Sequence, residues 1–197
     1  MKIKVSATRM QLLLLKRRLE LARRGHKLLK DKLDGLVQRF LSAKKEYVEL
    51  YEKLEPVLGG IFLGASAASA LSLPHELDPG ENEMPGLTIK EASKNIMGVV
   101  IPSYHLEAEK KAPVFTAGRS IELFEAVKGF NGILPDLVNM ASRDKAVRML
   151  ARQIIETRRR VNALEYILIP ELSRNAKEIR MKLEEYERSS RIVLLKL

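Results

Sequence analysis

Residues 12–54, LLLLKRRLELARRGHKLLKDKLDGLVQRFLSAKKEYVELYEKL, decide how this chain folds. Apolar residues recur at alternating spacings of three and four through Leu12, Leu15, Leu19, Ala22, His26, Leu29, Leu33, Leu36, Phe40, Ala43, Tyr47, Leu50 and Leu54, with His26 the one strongly polar member. That is the heptad pattern of a helix that lays a narrow stripe against another helix. Ser6 or Thr8 can cap its start, and about fifty residues at 1.5 Å each would make a rod of about 75 Å. A helix of this length frays in water unless its apolar stripe is covered. Each fully buried Leu contributes about 1.5–3 kcal/mol, so the seam outweighs helix propensity and demands a mate.

The mate lies at the other end of the chain. Val147, Leu150, Ile154, Thr157, Val161, Leu164, Leu168, Leu172, Ala176, Ile179, Leu183 and Tyr186 form a second ladder. After Leu168 two steps of four replace the alternation, a stutter that locally unwinds a left-handed supercoil. Pro170 sits inside the stutter, where it removes a backbone donor and crowds the carbonyl of Tyr166, so a shaft bend is expected there. The predicted fold is mainly α: a long antiparallel two-helix coiled coil of the N- and C-terminal helices, with a small middle region holding a short β-hairpin. Residues 1–72 are read as the N-terminal shaft helix, its last part packing in a head, 73–118 as the middle region, and 119–197 as the C-terminal shaft helix. Gly129, Gly132 and Pro135 interrupt the latter pattern, and a kinked helix and a fresh start at Pro135 both fit.

From Leu73 to Ala92 the chain carries Pro74, Asp78-Pro79-Gly80 and Pro85-Gly86, so a loop is expected. Leu87, Thr88 and Ile89 alternate, Ser93-Lys94-Asn95 offers turn chemistry, and Met97, Gly98 and Val99 lie in a run rich in β-branched residues, which together predict a short hairpin. Pro102 should end its pairing or confine it to an edge. The uncharged stretch Pro56 to Pro74, PVLGGIFLGASAASALSLP, approaches the length of a membrane span. Its many Gly, Ala and Ser residues favour a buried, tightly packed helical segment over insertion.

Thirty-five Lys and Arg against 25 Asp and Glu leave a formal charge of +10, which calls for an acidic partner: nucleic acid, an anionic membrane or an acidic protein surface. Arg17-Arg18, Arg23-Arg24, Lys27, Lys30 and Lys32 crowd the first helix, and Arg148, Arg152 and Arg158-Arg159-Arg160 the second. Consecutive helical residues are about 100° apart, so the Arg triplet forms a collar rather than a stripe. It reads equally as a solvated coat or as a bearing against an acidic protein. No helix-turn-helix or stacking aromatics accompany these clusters, which argues against DNA reading.

There is no cysteine, which excludes disulfides and thiolate metal sites, and three scattered His residues argue against zinc. Lys16, Arg17 and Arg18 cut the leucine run short of a signal-peptide core, so no export signal is expected and a cytoplasmic location fits. Gly59, Gly60 and Gly64 lack the Lys-Ser or Lys-Thr of a phosphate-binding loop. His26 reads as a register-fixing polar residue of the seam, with no second His or carboxylate expected beside it. No catalytic, cofactor-binding or metal-ligating residue is expected.

At MKIKVSATRMQLLLLKRRLELARRGHKLLKDKLDGL, SKNIMGVVIPSY and TRRRVNALEYILIPEL, the chain strongly resembles the D subunit of the V-type and archaeal A-type rotary ATPases. The resemblance spans both ladders and the hairpin. It implies a non-catalytic central-stalk rotor whose paired termini enter a hexamer of catalytic A and regulatory B subunits. It further implies that the other end binds the F subunit of the stalk and sits on the C subunit, which couples it to the membrane rotor, so that the chain meets the membrane only through the complex. A hairpin beside the shaft is associated, in that family, with stimulated ATP hydrolysis. On this reading Arg23, Arg24, Arg158, Arg159, Arg160 and the apolar tip Ile192, Val193, Leu194 and Leu195 are candidate bearing contacts. The competing readings are a basic coiled-coil nucleic-acid-binding protein, which would retain nucleic acid in a salt-sensitive way, and an adaptor anchored through Pro56–Pro74, which would float with liposomes.

Overall fold

The structure is a computed structural model that describes residues 8–71, 87–108 and 121–196. Helix α1 spans Arg9–Leu71, strands β1 and β2 span Leu87–Ile96 and Val99–Ala108, and helix α2 spans Ile121–Ala163. A π-helical turn at Leu164–Leu168 leads into helix α3, Ile169–Lys196. Thr8 caps α1: its Oγ1 accepts the Gln11 N–H at 3.2 Å, satisfying one donor of the open first turn. Ser6 and the loop expected at 72–86 lie outside the described residues. The chain divides into two compact units, Met1–Val37 with Gln153–Leu197, and Gln38–Arg152.

In the first unit the two ends of the chain run antiparallel. Arg9 Nη2 donates to Glu187 Oε1 at 2.6 Å, and further along α1 His26 Nε2 lies 3.3 Å from Glu165 Oε2, so partners descend one helix as they ascend the other. The buried side chains of this unit are Leu15, Ala22, Leu36, Thr157, Val161 and Ile179, with Leu36 fully excluded from solvent. Leu19, Leu29, Leu33, Ile154, Leu164 and Leu183 are half-buried beside them.

The second ladder departs from its expected phase at two places. Leu168 is 41% exposed and Tyr186 is 73% exposed, so neither lies in the seam. The cause at Leu168 is the π turn. It holds one residue more than an α turn, closing with the Ile169 N–H on the Leu164 carbonyl, and it carries Leu168 outward while Ile169 becomes half-buried. From Leu164 the inward positions then run Ile169, Leu172, Ala176, Ile179 and Leu183, a step of five followed by regular alternation. What the sequence presents as a stutter is therefore a single inserted residue. Pro170 follows directly, and the wider turn gives its ring room where an α turn would press it on a carbonyl. At the other place, Tyr186 turns outward and Glu187, in its ion pair with Arg9, is half-buried instead.

In the second unit α1 and α2 again run antiparallel. Glu46 accepts an ion pair from Arg143, a Cβ built on Gly129 would stand 3.3 Å from Ile61 Cγ1, and one built on Gly64 would stand 3.9 Å from Ala126 Cβ. Gly129 thus marks a close helix approach. Leu54, Ala68, Ala126 and Leu150 are buried here, and Phe40, Ala43, Tyr47 and Leu50 half-buried. Helix α2 passes unbroken through Gly129, Gly132 and Pro135, which resolves the two sequence options in favour of a continuous helix. The segment after Pro56 corrects the expectation of full burial. Over residues 56–71 Ala68 alone is buried, and Val57, Phe62, Leu63 and Leu71 are exposed. Packing on α2 uses one face, because an antiparallel pair covers only one stripe of each helix. By length and composition α1 contains a stretch apolar enough to cross a membrane, most of it unburied.

The sheet of this unit is a two-stranded antiparallel hairpin with ten residues in each strand. Its turn is Met97-Gly98, not Ser93-Lys94-Asn95, which are paired with Pro102, Ile101 and Val100 in the ladder. Met97 and Gly98 have φ of 53° and 86°, the two positive values that a two-residue type I′ turn requires. Asn95 Oδ1 accepts the Gly98 N–H at 2.9 Å and stiffens it. Pro102 does not end the pairing, which continues to Ala108. Ile96 and Val99 flank the turn as a hydrogen-bonded pair, so Ser93 and Pro102 fall in a non-bonded pair where the ladder asks Pro for no N–H.

Two substitutions test this architecture. Leu36→Ala should lower the unfolding free energy in urea by about 2–5 kcal/mol, the range for truncating a fully buried Leu. Deleting the exposed Ile167 in a Pro170→Ala background should leave stability within about 1 kcal/mol of Pro170→Ala alone. The deletion turns the step of five into four and preserves inward phase on both sides; a much larger loss would show that the π turn is not a simple insertion.

Candidate functional site

Among the described residues no group of His, Asp and Glu is arranged to hold a metal ion. The sequence concentrates charge on the helix faces turned away from the seam, and those side chains reach solvent. Arg23, Arg24, Arg158, Arg159 and Arg160 are all exposed. Arg24 pairs with Glu20 and Arg160 Nη2 lies 3.6 Å from Glu156 Oε2, each one helical turn away. Arg23, Arg158 and Arg159 make no ion pair among the described residues. Exposed pairs of this kind contribute about 0–1 kcal/mol, so they cost little to exchange for a carboxylate on another chain. Arg148 donates to Asp144 Oδ2 at 2.7 Å, and that hydrogen bond, with the charge behind it, raises its pKa above the usual guanidinium value.

The C-terminal end of α3 presents the opposite chemistry. Ile192, Val193, Leu194 and Leu195 are all more than half exposed, Leu195 reaching 86%. Four consecutive apolar residues surround the helix rather than striping it, so no single neighbouring helix can cover them. In the other unit Phe62 and Leu63 of α1 and Ile121 and Phe130 of α2 are exposed.

His26 has a partner that the sequence reading did not assign. Glu165, in the π turn, places Oε2 3.3 Å from His26 Nε2, and the imidazole is largely shielded while the carboxylate is half exposed. Glu165 lies four residues after Val161 and directly after Leu164, so it flanks the seam on the side that His26 meets. The pair bridges helix and π turn at the one irregular point of the first unit's described residues.

The hairpin residues divide by position. Ile89, Ser93, Lys94, Asn95 and Met97 are exposed, whereas Val99 is buried together with Ile101 on the same face of β2. Strand β1 is exposed along nine of its ten residues. Strand β2 is the attached one: Ser142 of α2, itself buried, accepts the Tyr104 N–H on Oγ at 2.8 Å. Sequence reasoning passed over Ser142 because a lone Ser in a long helix carries no motif.

The profile of the family described as the D subunit of ATP synthase matches residues 11–197. The D subunit of a V-type ATP synthase from Clostridium botulinum (strain ATCC 19397 / Type A) is 42% identical over 208 residues, covering 100% of this chain and 94% of that protein. Its counterpart from Thermoanaerobacter sp. (strain X514) is 40% identical over 201 residues, with 99% and 95% covered.

Proposed function

This chain belongs to the ATP synthase D-subunit family, and on that premise we propose that it is the non-catalytic central-stalk rotor of a V-type or A-type ATP synthase. In this role it couples ATP hydrolysis or synthesis in a hexamer of catalytic A and regulatory B subunits to ion translocation by the membrane rotor. The observation that carries the reading is the antiparallel pairing of the two chain ends around Leu15, Leu36, Val161 and Ile179, with the apolar tip and the Arg collar left uncovered. A rotor has to bias three chemically equivalent interfaces differently at each angle. It does so only if its outline differs from side to side, so that one orientation favours an open interface and another a closed one.

The surface chemistry divides among the partners accordingly. The tip Ile192–Leu195 turns against an apolar sleeve, where there are no directional bonds to break. Arg23, Arg24 and Arg158–Arg160 meet acidic surface of the hexamer, and long-range charge attraction tolerates rotation better than hydrogen bonds do. The exposed apolar residues of the other unit are the surface for the F and C subunits of the stalk. Pro170 and the adjoining π turn give the shaft its bend. The hairpin, held by α2, acts on hydrolysis, and the complex as a whole sits at the cytoplasmic face of the membrane. With these roles the chain needs no cofactor of its own.

Replacing Arg158, Arg159 and Arg160 together by Glu should weaken assembly into the hexamer about tenfold, because three exposed charges at about 0.5 kcal/mol each amount to roughly that factor. Native mass spectrometry of the reconstituted complex and its single-molecule torque measure the effect. Unchanged assembly and torque would reject the collar as a bearing.

A further inference from the structure

The hairpin is fixed to the molecule at one edge, and the register identifies how. In the ladder Ile96 pairs with Val99 across the two-residue turn, and every second pair from there leaves its N–H and C=O pointing away from the partner strand. On β2 the outward groups are those of Val100, Pro102, Tyr104 and Leu106. Pro102 has no N–H to satisfy. Tyr104 has both groups, and both meet one side chain: Ser142 Oγ accepts the Tyr104 N–H at 2.8 Å and lies 3.4 Å from the Tyr104 carbonyl. The single hydroxyl proton is shared between that carbonyl and the Val138 carbonyl one helical turn back, at 3.0 Å. Ser142 is 9% exposed, in the middle of helix α2. Its hydroxyl thus does for one residue what a third strand would do, closing an edge that is otherwise an open template.

We propose that Ser142 is the positioning residue that ties the hairpin to helix α2, so that strand β2 turns with the helix while the uncovered strand β1 is presented outward. A two-stranded hairpin has marginal stability and orientation on its own, and a loose one would follow neither the angle nor the timing of the helix. With Val99 and Ile101 of the same strand already buried, the hydroxyl adds the directional bond that fixes the ribbon's angle to the helix. This inference rests on the proposed rotor role only for its consequence in turnover, not for the attachment itself.

The test uses the full chain in two states. By hydrogen exchange on the isolated full-length chain, Ser142→Ala should speed exchange of the Tyr104 amide about two- to tenfold, the factor expected for one lost hydrogen bond. The ladder amides of Val99, Ile101 and Ser103 should keep their rates. Ser142→Thr, which retains the hydroxyl, should restore Tyr104 protection, and Tyr104→Phe, which leaves the backbone bond intact, should change nothing. In the reconstituted ATPase, Ser142→Ala should lower hydrolysis and Ser142→Thr recover it. An unchanged Tyr104 amide in Ser142→Ala overturns the anchor, as does equal acceleration of the ladder amides, which would mean the hairpin has simply unfolded. A released Tyr104 amide with undiminished hydrolysis leaves the anchor standing and overturns the role of the hairpin in turnover.

Discussion

The burial of one apolar stripe between two antiparallel helices is the constraint on which everything else in this protein depends. A helix the length of α1, Arg9–Leu71, holds its shape in water only while that stripe is covered. Leu36 in one unit and Leu150 in the other are the large side chains fully buried from solvent, with Leu15 and Leu54 buried beside them. Their gain from burial exceeds what the local sequence costs. Pro56 and Pro135 both lie inside helices that continue past them. A proline in a helix interior costs about 3 kcal/mol in isolation, and the buried and half-buried aliphatics along the seam offset that amount.

The same constraint decides where irregularity is allowed. One extra residue in a helix would swing every later side chain by about 100° and bury the wrong face. The π turn at Leu164–Leu168 absorbs that residue locally, sending Tyr166, Ile167 and Leu168 outward while Val161 before it and Ile179 after it remain buried. Glu165 at its start stands beside His26, a polar contact in a seam that is otherwise mostly apolar. The hairpin shows an equivalent economy at its edge. Pro102 occupies a position from which no ladder hydrogen bond is required, and Ser142 satisfies the neighbouring Tyr104.

Most of the helical fold was legible because its signal is a period repeated over many residues. The first ladder, Leu12 to Leu54, reads as a three-four alternation without a fault, and the burial of Leu15, Ala22, Leu36 and Leu54 follows it. The second ladder misled at Leu168 because a π insertion and a coiled-coil stutter give the same apolar spacing until a backbone is seen. The turn was misplaced because Ser93-Lys94-Asn95 has turn composition, whereas Met97-Gly98 relies on a non-glycine residue at positive φ. Of the surfaces, the charge of Arg158–Arg160 and the apolarity of Ile192–Leu195 were visible as composition. The Ser142 contact was not, since it joins a helix and a strand 38 residues apart through one hydroxyl.

A charged pair of helices with an uncovered apolar end suits the proposed axle, and what an axle requires first is that its two helices run in opposite directions in a fixed register. Pulsed dipolar distances between spin labels replacing exposed side chains at Lys16 and Arg180, and at Lys16 and Arg158, measure this directly. The Lys16–Arg180 pair should lie across the seam and give the short distance, with Lys16–Arg158 displaced along the axis by about 30 Å at 1.5 Å per residue. If the two distances came out in the reverse order, or both were long, the ends of the chain would not be zipped antiparallel and the account would fail.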